Sequence, residues 1–249
     1  LRERRHTVFA GHRHHYVKYE RNNGRYIMLA TTGGGSALRG PELGEFDHVV
    51  WVTMTEQGPI IANLQLEGIW SEDVVTENIQ AYIDSLGRRQ PLRIEPLYVD
   101  PTGPFTGGAV RLRLTNDADV PLVVELNDKF SWDLRSDLPV DRLEVAPNSV
   151  EFVELELAPR KSKVAERLDP VPLSLAFSYL APDLPRLRYP LEYRLAPEPR
   201  YSLRRLDRPI EIDGTLPEDM PLPYAFSAVD PADCAVRFDV AFDDEFFYL

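Results

Sequence analysis

The sequence predicts a mainly β protein of more than one module, and three observations predict it. The chain has 249 residues, beyond the ~100–200 usual for one domain. Short apolar or alternating runs recur between Pro, Asn, Asp and Gly, which is the signature of strands and turns. Only one segment, near residues 71–87, carries apolar residues at helical spacing.

Residues 6–68 read as strands separated by glycine turns. An apolar run over residues 6–10 ends at Gly11, residues 14–20 alternate, and Asn22-Asn23-Gly24 is a hairpin signal. Residues 25–32 form a buried-type strand that runs into Gly33-Gly34-Gly35-Ser36. Residues 46–55 and 59–66 make a second strand pair around Glu56-Gln57-Gly58. Ser71 has the character of a helix N-cap, with Glu72 and Asp73 placed to favour the helix dipole. Val75, Ile79, Tyr82, Ile83 and Leu86 then repeat at helical spacing, and Gly87 suits the position after the helix. Arg88 to Pro91 reads as a linker.

From residue 91 to 200 the pattern changes to short, spaced strands at 92–99, 109–115, 122–126, 150–157, 173–179 and 191–195. That spacing predicts a sandwich of immunoglobulin-like architecture, and the dense prolines suit strand edges and loops. A second junction lies at residues 196–200. Beyond it, residues 210–214, 235–242 and 246–249 read as the opening of a third β module. The three expected modules are therefore 1–88, 91–200 and 201–249.

Composition narrows the function classes. The formal charge of -12 argues against nucleic acid as a partner, since phosphate binding needs a basic face. The charge is uneven. Arg2, Arg4, Arg5, Arg13, Lys18, Arg21, Arg25 and Arg39 make the start basic, and Asp230, Asp233, Asp239, Asp243, Asp244 and Glu245 make the end acidic. No apolar run approaches the ~20 residues of a membrane span, and no signal peptide is visible. The chain opens on Leu1 rather than Met and closes on the apolar Phe246-Phe247-Tyr248-Leu249, so both ends read as cuts in a longer protein. A single cysteine, Cys234, excludes an internal disulfide and reads as a small buried strand residue.

One constellation carries chemistry: Gly11-His12-Arg13-His14, directly after the strand at residues 7–10. A loop leaving a strand can project imidazoles into a cleft, and neutral imidazole ligates zinc, iron or manganese. On extended chain an i, i+2 pair points to one side. The competing reading is a pair of exposed loop histidines. His6, His15 and His48 read as structural. Gly33-Gly34-Gly35-Ser36 lacks the Gly-Lys-Ser/Thr of a P-loop and reads as a turn. In the sandwich region Trp132 and the tyrosines offer either a sugar-stacking platform or core packing, and core packing is the preferred reading.

Val8-Phe-Ala-Gly-His-Arg-His-His-Tyr16 resembles the last metal motif, Gly-His-x-His, of calcineurin-like metallophosphoesterases. Tyr26-Ile-Met-Leu-Ala-Thr-Thr-Gly-Gly-Gly-Ser36 and Gly44-Glu-Phe-Asp-His-Val-Val-Trp-Val-Thr-Met-Thr55 resemble segments that follow it in bacterial members. The resemblance covers roughly residues 5–70. It implies that residues 1–88 are the C-terminal remnant of an α/β metallophosphoesterase sandwich. It also implies that His12 and His14 each ligate one of two divalent ions (iron, zinc or manganese), and that the substrate is a phosphate mono- or diester. Arg13 and Arg39 are candidates to meet the substrate phosphate, against the plain reading of exposed arginines. The family's other ligands, in Asp-x-His, Gly-Asp-x-x-Asp and Gly-Asn-His motifs, do not precede Gly11, so this chain is expected to be inactive alone. The resemblance assigns no physical role to Asp47, His48 or Trp51.

Residues 210–249 are similar to the start of family 9 carbohydrate-binding-like sandwiches. That implies a secreted, periplasmic or cell-surface parent with glycan or cell-surface partners. The alternative function from a different class is an extracellular binding or scaffold protein whose β-sandwich modules engage glycan or protein.

Overall fold

A computed structural model describes residues 4–207, 209–210, 214–215, 220–227 and 235–249. The first strands are β1 (His6–Ala10), β2 (Val17–Arg21) and β3 (Gly24–Met28). They form a sheet in the order β1-β3-β2, with β1 parallel and β2 antiparallel to β3. The β2–β3 turn is the expected one: Asn22 and Asn23 both adopt positive φ, at 50° and 61°, as a tight hairpin requires. Next come β4 (Val49–Thr55), β5 (Gly58–Gln65) and β6 (Gly68–Ser71), an antiparallel meander.

The helix α1 (Glu77–Gly87) starts later than Ser71 suggests. The Ser71 hydroxyl accepts the Asp73 N–H at 3.1 Å, so its capping capacity goes into a turn before the helix. Thr76, extended at φ -95° and ψ 171°, is the residue that precedes the first helical turn. Ile83 and Leu86 face inward and join Tyr16, Val17, Ile27, Phe46 and Ile61 in the core. Buried Lys18 ties the pieces together through ion pairs to Glu20 (3.0 Å), Glu72 (2.7 Å) and Asp73 (2.7 Å). Burial alone would lower its pKa, but the three carboxylates outweigh burial and raise it.

The sandwich follows. Its strands are β7 (Leu92–Glu95), β8 (Tyr98–Val99), β9 (Gly108–Asn116), β10 (Leu122–Asp128), β11 (Leu134–Asp137), β12 (Arg142–Val145), β13 (Ser149–Pro159), β14 (Val171–Tyr179) and β15 (Tyr189–Leu195). One antiparallel sheet runs β12-β10-β14-β15 and the other β11-β13-β9-β7. Strict alternation puts Val110, Leu112 and Leu114 of β9 and Val153, Leu155 and Leu157 of β13 in the core. Between them point Arg111, Arg113, Glu154 and Glu156, outward and polar or half-buried. Each fully buried Leu contributes about 1.5–3 kcal/mol relative to exposure. Asn116, also buried, closes one end of this core. Its amide donates to the carbonyls of Val120, Val145 and Ala146 at 2.9, 3.1 and 2.9 Å, so the buried group is satisfied.

The strand β16 (Glu198–Pro199) leaves the sandwich and pairs in parallel with β8. Beyond it lie β17 (Arg204–Arg205), β18 (Tyr224–Ser227), β19 (Ala235–Phe238), β20 (Ala241–Phe242) and β21 (Phe247–Tyr248). They form the sheet β17-β20-β21 and the pair β18–β19. The readings placed on Asp230, Asp233 and Cys234, and on the middle of the 210–214 strand, lie outside the described residues.

The chain is mainly β, with an immunoglobulin-like sandwich at its centre. The expected α/β remnant of a metallophosphoesterase over residues 1–88 is not shown. Those residues form two separate three-stranded sheets and one helix of 11 residues.

Candidate functional site

The histidine loop is bent rather than extended. His12 and His14 both adopt positive φ, at 89° and 52°, so the one-sided geometry of an extended i, i+2 pair does not arise. His12 is exposed. His14 turns in, and its Nδ1–H donates to the Gly35 carbonyl at 2.6 Å. A Cβ at Gly34 would run into the Thr31 hydroxyl first and lie 3.1 Å from His14 Cε1. Asp47, given no role by sequence, accepts the Gly33 N–H at 2.9 Å and pins the loop.

Arg13, His14 and Arg39 line one cleft of about 640 Å³ together with Asp84, Arg88 and Tyr189. His12 does not line it. Arg39 is committed within the fold. Its Nε donates to Glu45 at 2.7 Å and its guanidinium lies 5.1 Å from the Tyr189 ring centroid. The Arg39 contact holds the Glu45 carboxyl below its ordinary range. The remaining histidines also hold the fold. His6 bonds the Arg4 carbonyl (2.7 Å) and the Tyr26 hydroxyl (2.8 Å), and His15 bonds Gln80. His48 is buried edge-on to Tyr16 and Phe46, with Nδ1 3.0 Å from Asn63 Oδ1. Burial pushes the His48 pKa down, against smaller upward pulls from Asn63 and Asp47.

The donor set does not fit a dinuclear centre. Among the described residues no cluster of three or more His, Cys, Asp or Glu side chains is placed to hold a metal ion. His14 Nδ1–H donates to the Gly35 carbonyl, an orientation a ligating imidazole shares, but His12 does not line the same cleft.

A different feature stands out on the β4–β6 sheet. Residues paired across an antiparallel ladder share a face. Val49 faces Leu64, Trp51 faces Ala62, Thr53 faces Ile60, Leu64 faces Ile69, and Ala62 faces Ser71. On the opposite face Ile61 and Asn63 are buried in the core, while Val52 and Met54 toward the β4–β5 turn are exposed. The outer face holds no charged residue, and Trp51 and Ile69 are 64% and 75% exposed on it. Sequence reading missed this surface. Strands apolar on both faces read as buried, and only the packing of one face reveals that the other is open.

No family model matches the chain, and no curated protein matches it. Several solved structures do. A Caenorhabditis elegans MSP family member aligns at 11% identity over 44% of this chain and 100% of its own, with a TM-score of 0.32. A PapD-like domain of human CEP192 aligns at 12% identity over 45% of this chain and 87% of its own, with a TM-score of 0.33. A FixG-related protein of Vibrio parahaemolyticus aligns at 13% identity over 44% of this chain and 99% of its own, with a TM-score of 0.27.

The phosphoesterase reading is corrected here. The elements of residues 1–88 are two separate three-stranded sheets and one 11-residue helix, and they do not form the α/β remnant. The Gly-His-x-His tetrad misled because its four residues form a loop whose geometry depends on backbone angles that spacing does not report. At these TM-scores the likenesses say nothing about activity or partner. Among the described residues no helix is long and apolar enough to cross a membrane.

Proposed function

We propose that this chain is a binding and scaffold segment, in which β modules hold out a surface for a protein partner. The observation that carries the reading is the uncharged outer face of β4–β6, with Val49, Trp51, Ile60 and Ile69 all exposed. An exposed contiguous apolar surface on a folded module marks an interaction site.

The occupant is an amphipathic helix of the partner. Three strands spaced about 4.8 Å apart give a face ~10–15 Å wide, which is the width of one helix at about 10–12 Å. The face is of the order of 300 Å², well under the ~800 Å² per partner that a stable dimer buries, so a second copy of this chain is disfavoured. Charge sets the partner's ends. Glu56 and Glu67 sit in the turns at opposite ends of the sheet, both exposed, and neither is ion-paired among the described residues. A helix with an apolar stripe and Lys or Arg at both ends is complementary.

Calorimetric titration tests this with two synthetic helical peptides of one leucine stripe, one ended in lysine and one in glutamate. The lysine-ended peptide is expected to bind at least tenfold tighter and to lose binding to a Trp51→Lys, Ile60→Lys variant. Equal binding of both peptides, equal binding by the variant, or self-association of the protein through this face in light scattering would overturn the reading.

A further inference from the structure

The loop between β10 and β11 presents two aromatic rings to solvent, Phe130 at 61% and Trp132 at 71% exposure. Their centroids are 5.1 Å apart and their planes stand at 85°, so the rings meet as a floor and a wall. Exposing two large apolar rings side by side costs stability that a loop without a use for them would avoid. The core-packing expectation for Trp132 is therefore corrected.

The loop beneath them is built like core. Asp133 is 3% exposed, accepts Lys163 Nζ at 2.7 Å and accepts the Asp169 N–H at 2.9 Å. Ser131, fully buried between the two aromatic positions, donates its hydroxyl to the Asp169 carbonyl at 2.7 Å. The Lys129 N–H donates to the Pro172 carbonyl at 2.8 Å. These bonds hold the rings in place before any ligand arrives, which removes much of the ordering cost of binding.

Polar groups with spare capacity flank the rings. Arg160 spends its Nε on the Leu134 carbonyl (2.9 Å) and lays its guanidinium 5.2 Å from the Phe130 centroid. Among the described residues its terminal NH₂ groups make no hydrogen bond. Asp169 is exposed, and among the described residues its carboxylate accepts only the long Trp132 N–H contact of 3.4 Å. The corner thus combines a flat apolar floor, a perpendicular wall, a donor and an acceptor.

We propose that Phe130 and Trp132, with Arg160 and Asp169, form a saccharide-binding site. A pyranose ring has a face of C–H groups that packs on the electron-rich face of an indole. Its rim of hydroxyls both donates and accepts, which matches Asp169 and Arg160. The site lies on the sandwich, away from the β4–β6 face, and stands or falls independently of the protein-partner reading.

Soluble hexasaccharides of β-1,4-glucose, β-1,4-N-acetylglucosamine, β-1,3-glucose and α-1,4-glucose, titrated against the whole chain by calorimetry and saturation-transfer NMR, provide the test. At least one is expected to bind in the micromolar to low millimolar range, with saturation on its ring C–H protons. Trp132→Ala should weaken it at least tenfold, and Arg160→Ala and Asp169→Asn should each weaken it severalfold. Thermal midpoints of Trp132→Ala and Arg160→Ala report that the loop still folds. No binding by any sugar at 10 mM overturns the proposal, as does unchanged affinity in Trp132→Ala. Capture of an apolar peptide by the two rings with no sugar binding would also overturn it, in favour of a protein contact.

Discussion

The Tyr189 hydroxyl sits where Gly87 has no side chain. A Cβ added at Gly87 would lie 2.9 Å from that oxygen, so the end of α1 and the start of β15 approach through a gap only glycine leaves. Gly87 is the last helical residue and not a left-handed cap, so close approach and not backbone angle accounts for it.

Two effects oppose each other in Gly87→Ala. Alanine gains about 1 kcal/mol over glycine in a helix, while forcing an atom into a filled site costs about 1–3 kcal/mol. The substitution is expected to destabilise wild type by roughly 1 kcal/mol net. In a Tyr189→Phe background the same change should stabilise by about 0.5–1 kcal/mol. Urea unfolding of the four proteins checks the change of sign; an equal effect in both backgrounds would show that the hydroxyl is not the obstacle.

His48 links stability to pH. Its folded pKa lies below the ordinary value of ~6.5 because the ring is buried. The unfolded chain therefore takes up this proton first as pH falls. The contribution of His48 is full above about pH 6.5 and is lost as pH drops through the folded pKa. Glutamine keeps a donor for Asn63 and does not titrate. Between pH 7 and 5 wild type is expected to lose more stability than His48→Gln, and parallel unfolding free energies across that range would refute this.

The core and the open face separate by their mutational cost. Leu112 is fully buried between the sandwich sheets, so Leu112→Ala should cost about 2–5 kcal/mol. Trp51→Ser removes a larger side chain but from an exposed site, and should change stability by less than about 0.5 kcal/mol. Thermal and urea unfolding check both. A loss of more than ~2 kcal/mol for Trp51→Ser would make that face part of the fold's own core.

The sandwich was the most legible part of the sequence. In β9 a charged or polar residue follows Val110, Leu112 and Leu114, and in β13 one follows Val153 and Leu155, so a two-residue period admits a single assignment. By contrast β11 and β12, four residues each with the sequences LRSD and RLEV, were missed because they are short and half charged. The start of α1 was misplaced because Ser71 can cap a helix or a turn with the same hydroxyl. The bend of the 11–14 loop was not legible either. His12 and His14 both adopt positive φ, and the partners that hold this region, Gly35 for His14 and Asp47 for Gly33, are distant in sequence. Trp132 followed the same logic in reverse: a large aromatic among strands reads as core until the loop that lifts it out is seen.

The parallel pairing of β8 with β16 has a mechanical consequence. β16 is the segment by which the chain leaves the sandwich and β8 follows its first strand, β7; they are joined by Glu198 N–H to Leu97 O at 2.8 Å and Arg200 N–H to Val99 O at 2.9 Å. Once β7 is peeled from β9, tension along the polypeptide loads both links in shear. They must rupture together, where a hairpin would unzip one link at a time. A tether pulled at its ends would therefore hold its shape up to a threshold force and then yield abruptly.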